Sequence, residues 1–368
     1  MVLRCLRESW PRAGIDLFSL HDHNTLAAST EQLVDITNGI LRFRPCSSSR
    51  GRYSLGTIGN LIGARPSLVI SEHAHLNVIP WLARPLANFR WVSLAYYMEL
   101  ATLGPWRRRA MRRCDLIIAI SEFAAREARR VLGPDCPPVV VCHLGLNPEY
   151  ADLAAARQTL IPPLCGRRNI LIVGRMADPT RDKGHEALIR ALPAVASCVP
   201  NVQLVIVGRG GDEMRFRQLV AELELEDLVH FAGCVPDREL PAYYEAAEVF
   251  AMPSYAEGFG LVYLEAMFHR KPCIAGNRDG ASEVVLEGET GLLVEPGNVS
   301  DLEEALLRLM LDPKWARRLG ANGRARLDRH FTYEEFALRF RDALETVASE
   351  LKSTPDSSPA DVSAYAAR

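Results

Sequence analysis

A chain of 368 residues with 48% hydrophobic and 24% charged residues exceeds the ~250–300 residues at which single cores stop growing, so two globular domains are expected. No apolar run approaches the ~18–20 residues that span a bilayer. The opening MVLRCLRESW has no apolar export core, and nine scattered cysteines form no C-x-x-C pair, which argues for a cytoplasmic protein with reduced thiols and against a zinc or redox motif. The net charge of −2 hides an asymmetry: residues 1–150 hold eighteen Arg, no Lys and twelve acidic residues, for +6, and the remainder carries −8.

In the first half, IDLFSL (15–20), SLVISEH (67–73), WVSLAYY (91–97), DLIIAIS (115–121) and PVVVCHL (138–144) read as strands separated by helical stretches. Arg107, Arg108, Arg109, Arg112 and Arg113 cluster in WRRRAMRRC. Such a basic patch can face an anionic membrane at the inner face of a cell, or simply solvate a helix. A linker is expected near 147–167, where Pro162 and Pro163 interrupt the pattern.

The second half is clearer. Strands are expected at 169–176, 202–208, 228–235, 248–254, 271–277 and 290–296. Helical patterns at 185–196, 214–224, 238–247, 261–269, 280–287 and 300–311 separate them. Apolar strands alternating with helices predict a parallel sheet covered on both faces. The fold class is therefore α/β, with two Rossmann-like domains facing a cleft: an N-terminal one over 1–150 and a C-terminal one over 151–330. A final amphipathic helix over 331–351 is expected to pack back on the N-terminal domain. The polar tail 352–368 is expected to be disordered.

Glu257-Gly-Phe-Gly-Leu-Val-Tyr-Leu-Glu265 carries the strongest chemical signal. Gly258 and Gly260 let the backbone turn sharply after a strand, with Phe259 between them. A helix starting at Leu261 would aim free N–H groups at an anion such as a diphosphate. Glu265 could accept two hydrogen bonds from a ribose diol, and Glu257 could hold sugar hydroxyls. Alone, the two acids would suit a surface loop and a first helical turn; the glycines and the preceding strand favour a ligand.

Gly174-Arg175 ends a strand, and Asp182-Lys183-Gly184 opens a helix. Arg175 and Lys183 could stabilise the charge that develops on a departing diphosphate. Gly208-Arg209-Gly210-Gly211 lacks the full dinucleotide-binding spacing, so a tight turn would explain it equally well. Gly233 and Val235 could offer backbone contacts to a base. His73 and His75 follow a strand and either line a cleft or pack in the core.

Taken together, GRM…RDKGHEALIRAL, LVIVGRGGDE, the run from VHFAGCV to EGFGLVYLEAM, and KPCIAGNRDGASEVV resemble family 4 retaining glycosyltransferases, the group 1 glycosyl transferases. The likeness is dense over 168–330 and looser over 65–150. It implies the GT-B fold, a UDP- or GDP-sugar donor, a glycan or lipid-linked acceptor, no metal or other cofactor, and no nucleic-acid partner. It implies that Arg175 and Lys183 bind diphosphate, Glu257 the donor sugar and Glu265 the ribose, with amides around Phe259–Leu261 on phosphate. Front-face attack with retained configuration would follow.

Two departures stand out. Tyr96-Tyr97-Met98-Glu99 replaces the family's His-Gly-x-Glu/Asp, keeping only Glu99 on the sugar side. The family's first strand and glycine loop are also missing. The expectation is thus an N-terminal domain lacking its first strand, with Met1 an internal start and solubility or activity impaired. The rival readings are a truncated, non-catalytic nucleotide-sugar-binding relative and an NAD-dependent enzyme with tandem Rossmann units.

Overall fold

The computed structural model describes residues 1–10, 15–19, 41–45, 50–155, 164–176, 183–348 and 362–366. They form two compact units, one comprising Met1–His143 with Phe336–Arg368 and the other Leu144–Glu335. The division falls a few residues before the expected 150/151 boundary.

The first unit holds a seven-stranded sheet in the order β2-β1-β13-β3-β4-β5-β6. Its strands are β1 (Ile15–Ser19), β2 (Leu41–Pro45), β3 (Leu68–Ser71), β4 (Arg90–Ala95), β5 (Leu116–Ala119), β6 (Val139–Val141) and β13 (Val362–Ala366). Every pairing is parallel. Strands β3 and β5 are buried throughout, as near-continuous apolar runs covered on both faces require. The helix Glu122–Leu132 shows the local logic. Ser121 caps it by accepting the Ala124 N–H at 3.0 Å, and Gly133 (φ +72°) ends it.

The strand order corrects one expectation. A doubly wound sheet runs 3-2-1-4-5-6. Here β13, from the tail expected to be disordered, stands in the central place of strand 1. It pairs with β1 on one side and β3 on the other, with Val362 between Ile15 and Leu68. An empty central slot would leave two rows of unpaired N–H and C=O groups. The segment VSAYA satisfies both rows. Composition alone could not show this, because the slot and not the segment's own propensity makes it a strand. Residues 352–361 lie outside the described residues, as do Pro162 and Pro163.

A deletion of residues 352–368 should therefore lower the melting temperature and solubility of the chain. Each net hydrogen bond contributes about 1 kcal/mol, and a strand with two neighbours makes several, against a total stability of ~5–15 kcal/mol. Thermal melts of the full and shortened chains check this. Equal melting temperatures would contradict a central role for β13.

The second unit holds β7 (Arg168–Val173), β8 (Val202–Val207), β9 (Val229–Gly233), β10 (Ala247–Met252), β11 (Cys273–Gly276) and β12 (Gly291–Val294). Their order is β12-β11-β10-β7-β8-β9, all parallel. The sheet thus runs 6-5-4-1-2-3, the doubly wound order. The helix His185–Cys198 buries Ala187, Leu188, Ala191, Leu192 and Val195 on one apolar stripe. Chain order reverses between β7 and β10, so the switch point lies above their carboxyl ends, where ligands of such sheets bind. The helix Pro313–His330 had no counterpart in the expected elements. No helix among the described residues is long and apolar enough to cross a membrane.

Candidate functional site

The switch point gathers the loops that follow β7 and β10. Gly184 sits against Pro253, leaving no room for a side chain at 184, and its φ of +97° suits glycine. That approach places Lys183 beside the Glu257 loop. Lys183 Nζ lies 2.8 Å from Glu257 Oε2 and donates to the Ala256 carbonyl at 3.3 Å. Both side chains of the pair are largely shielded, at 23% and 20% exposure. Arg175 is exposed and forms no ion pair with a described residue. Asp182 lies outside the described residues. The structure therefore joins Lys183 to Glu257, while Arg175, which follows the Gly174 that packs against Lys183, pairs with neither.

The second Glu257 oxygen, Oε1, accepts from the Gly258 N–H at 3.1 Å and the Phe259 N–H at 3.5 Å. The Glu257 carboxylate thus lies between the loop amides and Lys183. Phe259's side chain belongs to the core, edge-on to Phe331 at 5.6 Å. Gly260 begins the helix Leu261–Phe268 with φ +92°, against the ring of Tyr263. Leu261 is partly exposed at 39%.

Glu265 lies inside that helix, and its Oε2 accepts a hydrogen bond from Tyr244 Oη at 2.7 Å. Burial raises its carboxyl to about 7; the Tyr244 hydroxyl opposes that shift and Asp237 adds to it. Tyr150 and His269 stand behind it, joined at 3.2 Å. The raised folded-state pKa has a definite sign. Destabilisation is absent below the ordinary value near 4.5, grows as pH rises, and is complete above about 7. Glu265→Gln keeps an acceptor for Tyr244 and removes the buried charge. The variant should be more stable at about pH 8, by on the order of 2 kcal/mol after allowance for partial solvation. The gain should vanish near pH 5. Denaturant melts at the two pH values check this, and a variant less stable at high pH would contradict it.

The glycines of the loop Gly208–Gly211 let it pack against the loop after β7. A side chain at Gly208 (φ +133°) would strike the Gly174 carbonyl, and one at Gly210 the Met176 carbonyl. Met176 N–H donates to Arg209 O at 3.2 Å. The two loops are clasped together. Gly208 N–H also donates to Gly233 O at 2.8 Å. Val235 lies two residues beyond the end of β9 and is half-buried.

In the first unit His75 and Glu99 meet through one hydroxyl. His75 Nε2 is 3.1 Å from Thr102 Oγ1, which donates to the Glu99 carbonyl at 3.0 Å. Burial, then Arg107 and His73, hold the His75 imidazole below its usual range. The Glu99 carboxylate is 5% exposed and accepts the Tyr96 N–H at 2.6 Å. It braces the turn at Tyr97, whose φ of +96° is strained for a side-chain-bearing residue. This is the geometry of a turn holder, with the carboxylate aimed at the backbone.

Asp279 and Tyr244 received no role from the sequence. Asp279 is 1% exposed and accepts the Glu257 N–H at 2.6 Å. The signal that could have found it is an acid beside Gly280 just after a strand, in the loop adjacent to the Glu257 strand.

Residues 166–326 match the family described as Glycosyl transferases group 1. The chain is 30% identical over 310 residues to a GDP-mannose-dependent alpha-(1-6)-phosphatidylinositol monomannoside mannosyltransferase of Mycolicibacterium smegmatis, spanning 77% of this chain and 78% of that protein. It is 33% identical over 258 residues to a phosphatidyl-myo-inositol mannosyltransferase of Mycobacterium leprae, spanning 70% of this chain and 65% of the relative. A sucrose-phosphate synthase from Thermosynechococcus elongatus matches the fold with TM-score 0.75 and 24% identity, over 92% of this chain and all (100%) of that one. Anabaena HepE, solved with UDP and glucose, matches with TM-score 0.76 and 22% identity, over 94% and 95%. The solved structures establish the GT-B fold class of two parallel-sheet α/β domains, and the matched segment spans the loops of Lys183, Glu257 and Glu265. On these grounds the chain belongs to the group 1 glycosyl transferases and is a glycosyltransferase.

Proposed function

We propose that the chain transfers a hexose from a nucleoside-diphosphate sugar to a lipid-linked or glycan acceptor, with retained anomeric configuration and without a metal. GDP-mannose is the favoured donor, because the two relatives named above are mannosyltransferases and one is GDP-mannose-dependent. The observation that carries this reading is the Lys183–Glu257 pair at the switch point, 2.8 Å apart over loop amides. A diphosphate entering there displaces the Glu257 carboxylate from Lys183 and the amides. Glu257 is then free to bind hydroxyls of the transferred sugar. Lys183, with Arg175 when its exposed side chain folds in, neutralises the departing diphosphate. Glu265 holds the ribose diol, and the acceptor attacks from the face the diphosphate leaves.

A donor panel tests this. Release of nucleoside diphosphate from GDP-mannose, UDP-glucose and ADP-glucose is measured with acceptor lipid present. Turnover of one donor supports the reading. Tight donor binding with no release from any donor selects the non-catalytic alternative, and stabilisation by NAD alone selects the dehydrogenase.

The acceptor side carries a membrane proposal. In the helix Pro105–Met111 and just after it, Arg107, Arg109 and Arg113 are exposed. Arg108 and Arg112 instead donate to the Leu103 and Leu132 carbonyls at 2.8 and 2.7 Å. Trp106 (69% exposed), Leu82 (51%) and Leu86 (67%) add apolar surface in the same unit, and Trp81 lies 6.3 Å from Trp106. Three exposed cations at about 1 kcal/mol each near an anionic surface, with an amphipathic Trp, suit peripheral binding at a cytoplasmic membrane face. Sedimentation with phosphatidylserine or phosphatidylinositol vesicles should show binding at low salt that weakens at high salt. It should be lost in Arg107→Ser/Arg109→Ser/Arg113→Ser. No binding at low salt would remove the membrane role.

A further inference from the structure

We propose that Asp279 is a positioning residue for the transfer step, fixing the main chain of Glu257 so that its carboxylate meets the donor sugar; this rests on the reading of Glu257 given above. Asp279 lies between β11 and the short helix Ala281–Val284. Its Oδ2 accepts the Glu257 N–H at 2.6 Å, and its Oδ1 accepts the Ala281 N–H at 3.0 Å. The next residue closes the other side, with Gly280 N–H donating to the Glu257 carbonyl at 2.9 Å. Two consecutive residues therefore hold both backbone polar groups of Glu257.

The clasp is close enough to demand glycine at 280. A side chain there would run into the Gly258 carbonyl and reach the Glu257 carbonyl. The holding loop is itself anchored, since Ser282 Oγ donates to the Asp279 carbonyl at 2.8 Å. Burying a carboxylate this deeply is costly. Burial raises the Asp279 carboxyl to about 7; its two N–H partners and nearby Lys183 oppose that, and Glu257 adds to it. Tyr263, fully buried, is the other titratable group close by, and its hydroxyl donates to the Met252 carbonyl. A turn could be closed more cheaply by backbone alone. What the carboxylate adds is a rigid tie between one loop and the Glu257 position.

The roles divide cleanly. Lys183 acts on the Glu257 side chain, and Asp279 acts on its backbone. Losing Asp279 should therefore displace the sugar-binding carboxylate and leave the nucleotide contacts in place. A misplacement on the order of 1 Å at a reacting centre costs about 10²-fold.

The test uses the full-length chain with Asp279→Asn, Glu257→Gln and the double variant. Asparagine is isosteric, but its amide can accept from only one of the two N–H groups. With the donor that the wild type turns over, Asp279→Asn should lower kcat by about 10- to 100-fold. Its Kd for the sugar-free nucleoside diphosphate should stay within about threefold. The double variant should be no slower than Glu257→Gln alone, because both changes remove one interaction. A wild type that binds donor without transferring it would refute the proposed activity and leave this inference testable. The ratio of nucleotide-sugar to nucleotide affinity should then fall equally in both single variants and no further in the double. Additive losses, or equal loss of nucleotide and nucleotide-sugar binding in Asp279→Asn, would overturn the positioning role.

Discussion

Glu257→Gln is expected to lower turnover by about 10²-fold with the fold intact. The exchange keeps the side chain's size and an acceptor oxygen for the Gly258 N–H, which now lies 3.1 Å from Oε1. It removes the charge that pairs with Lys183. Lys183 keeps the Ala256 carbonyl as an acceptor and, at 23% exposure, some contact with solvent, so the loss in stability should be small beside the kinetic effect. The kinetic effect is larger because the contact is preorganised at the reacting centre, where one such group is worth ~3 kcal/mol. Steady-state rates at saturating donor measure it. A variant with near-normal kcat on the true donor would remove Glu257 from the transition state.

Lys183→Ala should weaken nucleoside-diphosphate binding by about 10²-fold, or ~2.7 kcal/mol, and leave nucleoside binding nearly unchanged. Lys183 supplies the one cation paired to the loop anion among the described residues, and Glu257 Oε2 is its partner at 2.8 Å. Without it, a diphosphate would meet the Glu257 and Asp279 carboxylates with only the solvent-screened Arg175 to offset them. Arg175→Ala should act in the same direction and more weakly, since Arg175 is exposed and solvent screens it. Calorimetric titration with GDP or UDP against guanosine or uridine separates the terms. Equal losses for nucleotide and nucleoside would place these cations away from the phosphates.

Which parts of this were legible beforehand follows from where the determinants lie. The strands of the second unit announce themselves because each is a short apolar run ending in glycine or a helix start, as Arg168–Val173 and Val202–Val207 do. Lys183, Glu257 and Glu265 could be named because turn glycines and helix starts within a few residues mark their loops, whereas their partners lie 74 and 21 positions away. Strand β2, LRFRP, carries two arginines and a proline and has no continuous apolar run. Strand β13 exists through its neighbours β1 and β3, a tertiary effect that no local pattern encodes. Asp279 acts on a residue 22 positions away, and Tyr244 on one 21 positions away. Such contacts depend on adjacent loops of a parallel sheet, so a single sequence conceals them. Glu99 shows a mixed case: its place in the motif is legible, and the hydrogen bond by which it accepts the Tyr96 N–H is not.

Transfer with retention and without a metal is the activity we propose for this site. Time-resolved proton NMR of the chain with its turned-over donor and acceptor, in excess EDTA, tests it most directly. Free nucleoside diphosphate should accumulate and the first-formed glycoside should keep the donor's anomeric configuration, at a rate unaffected by the chelator and lowered in Glu257→Gln. A first product of inverted configuration, or transfer that stops in EDTA and returns with added Mg²⁺ or Mn²⁺, would contradict it.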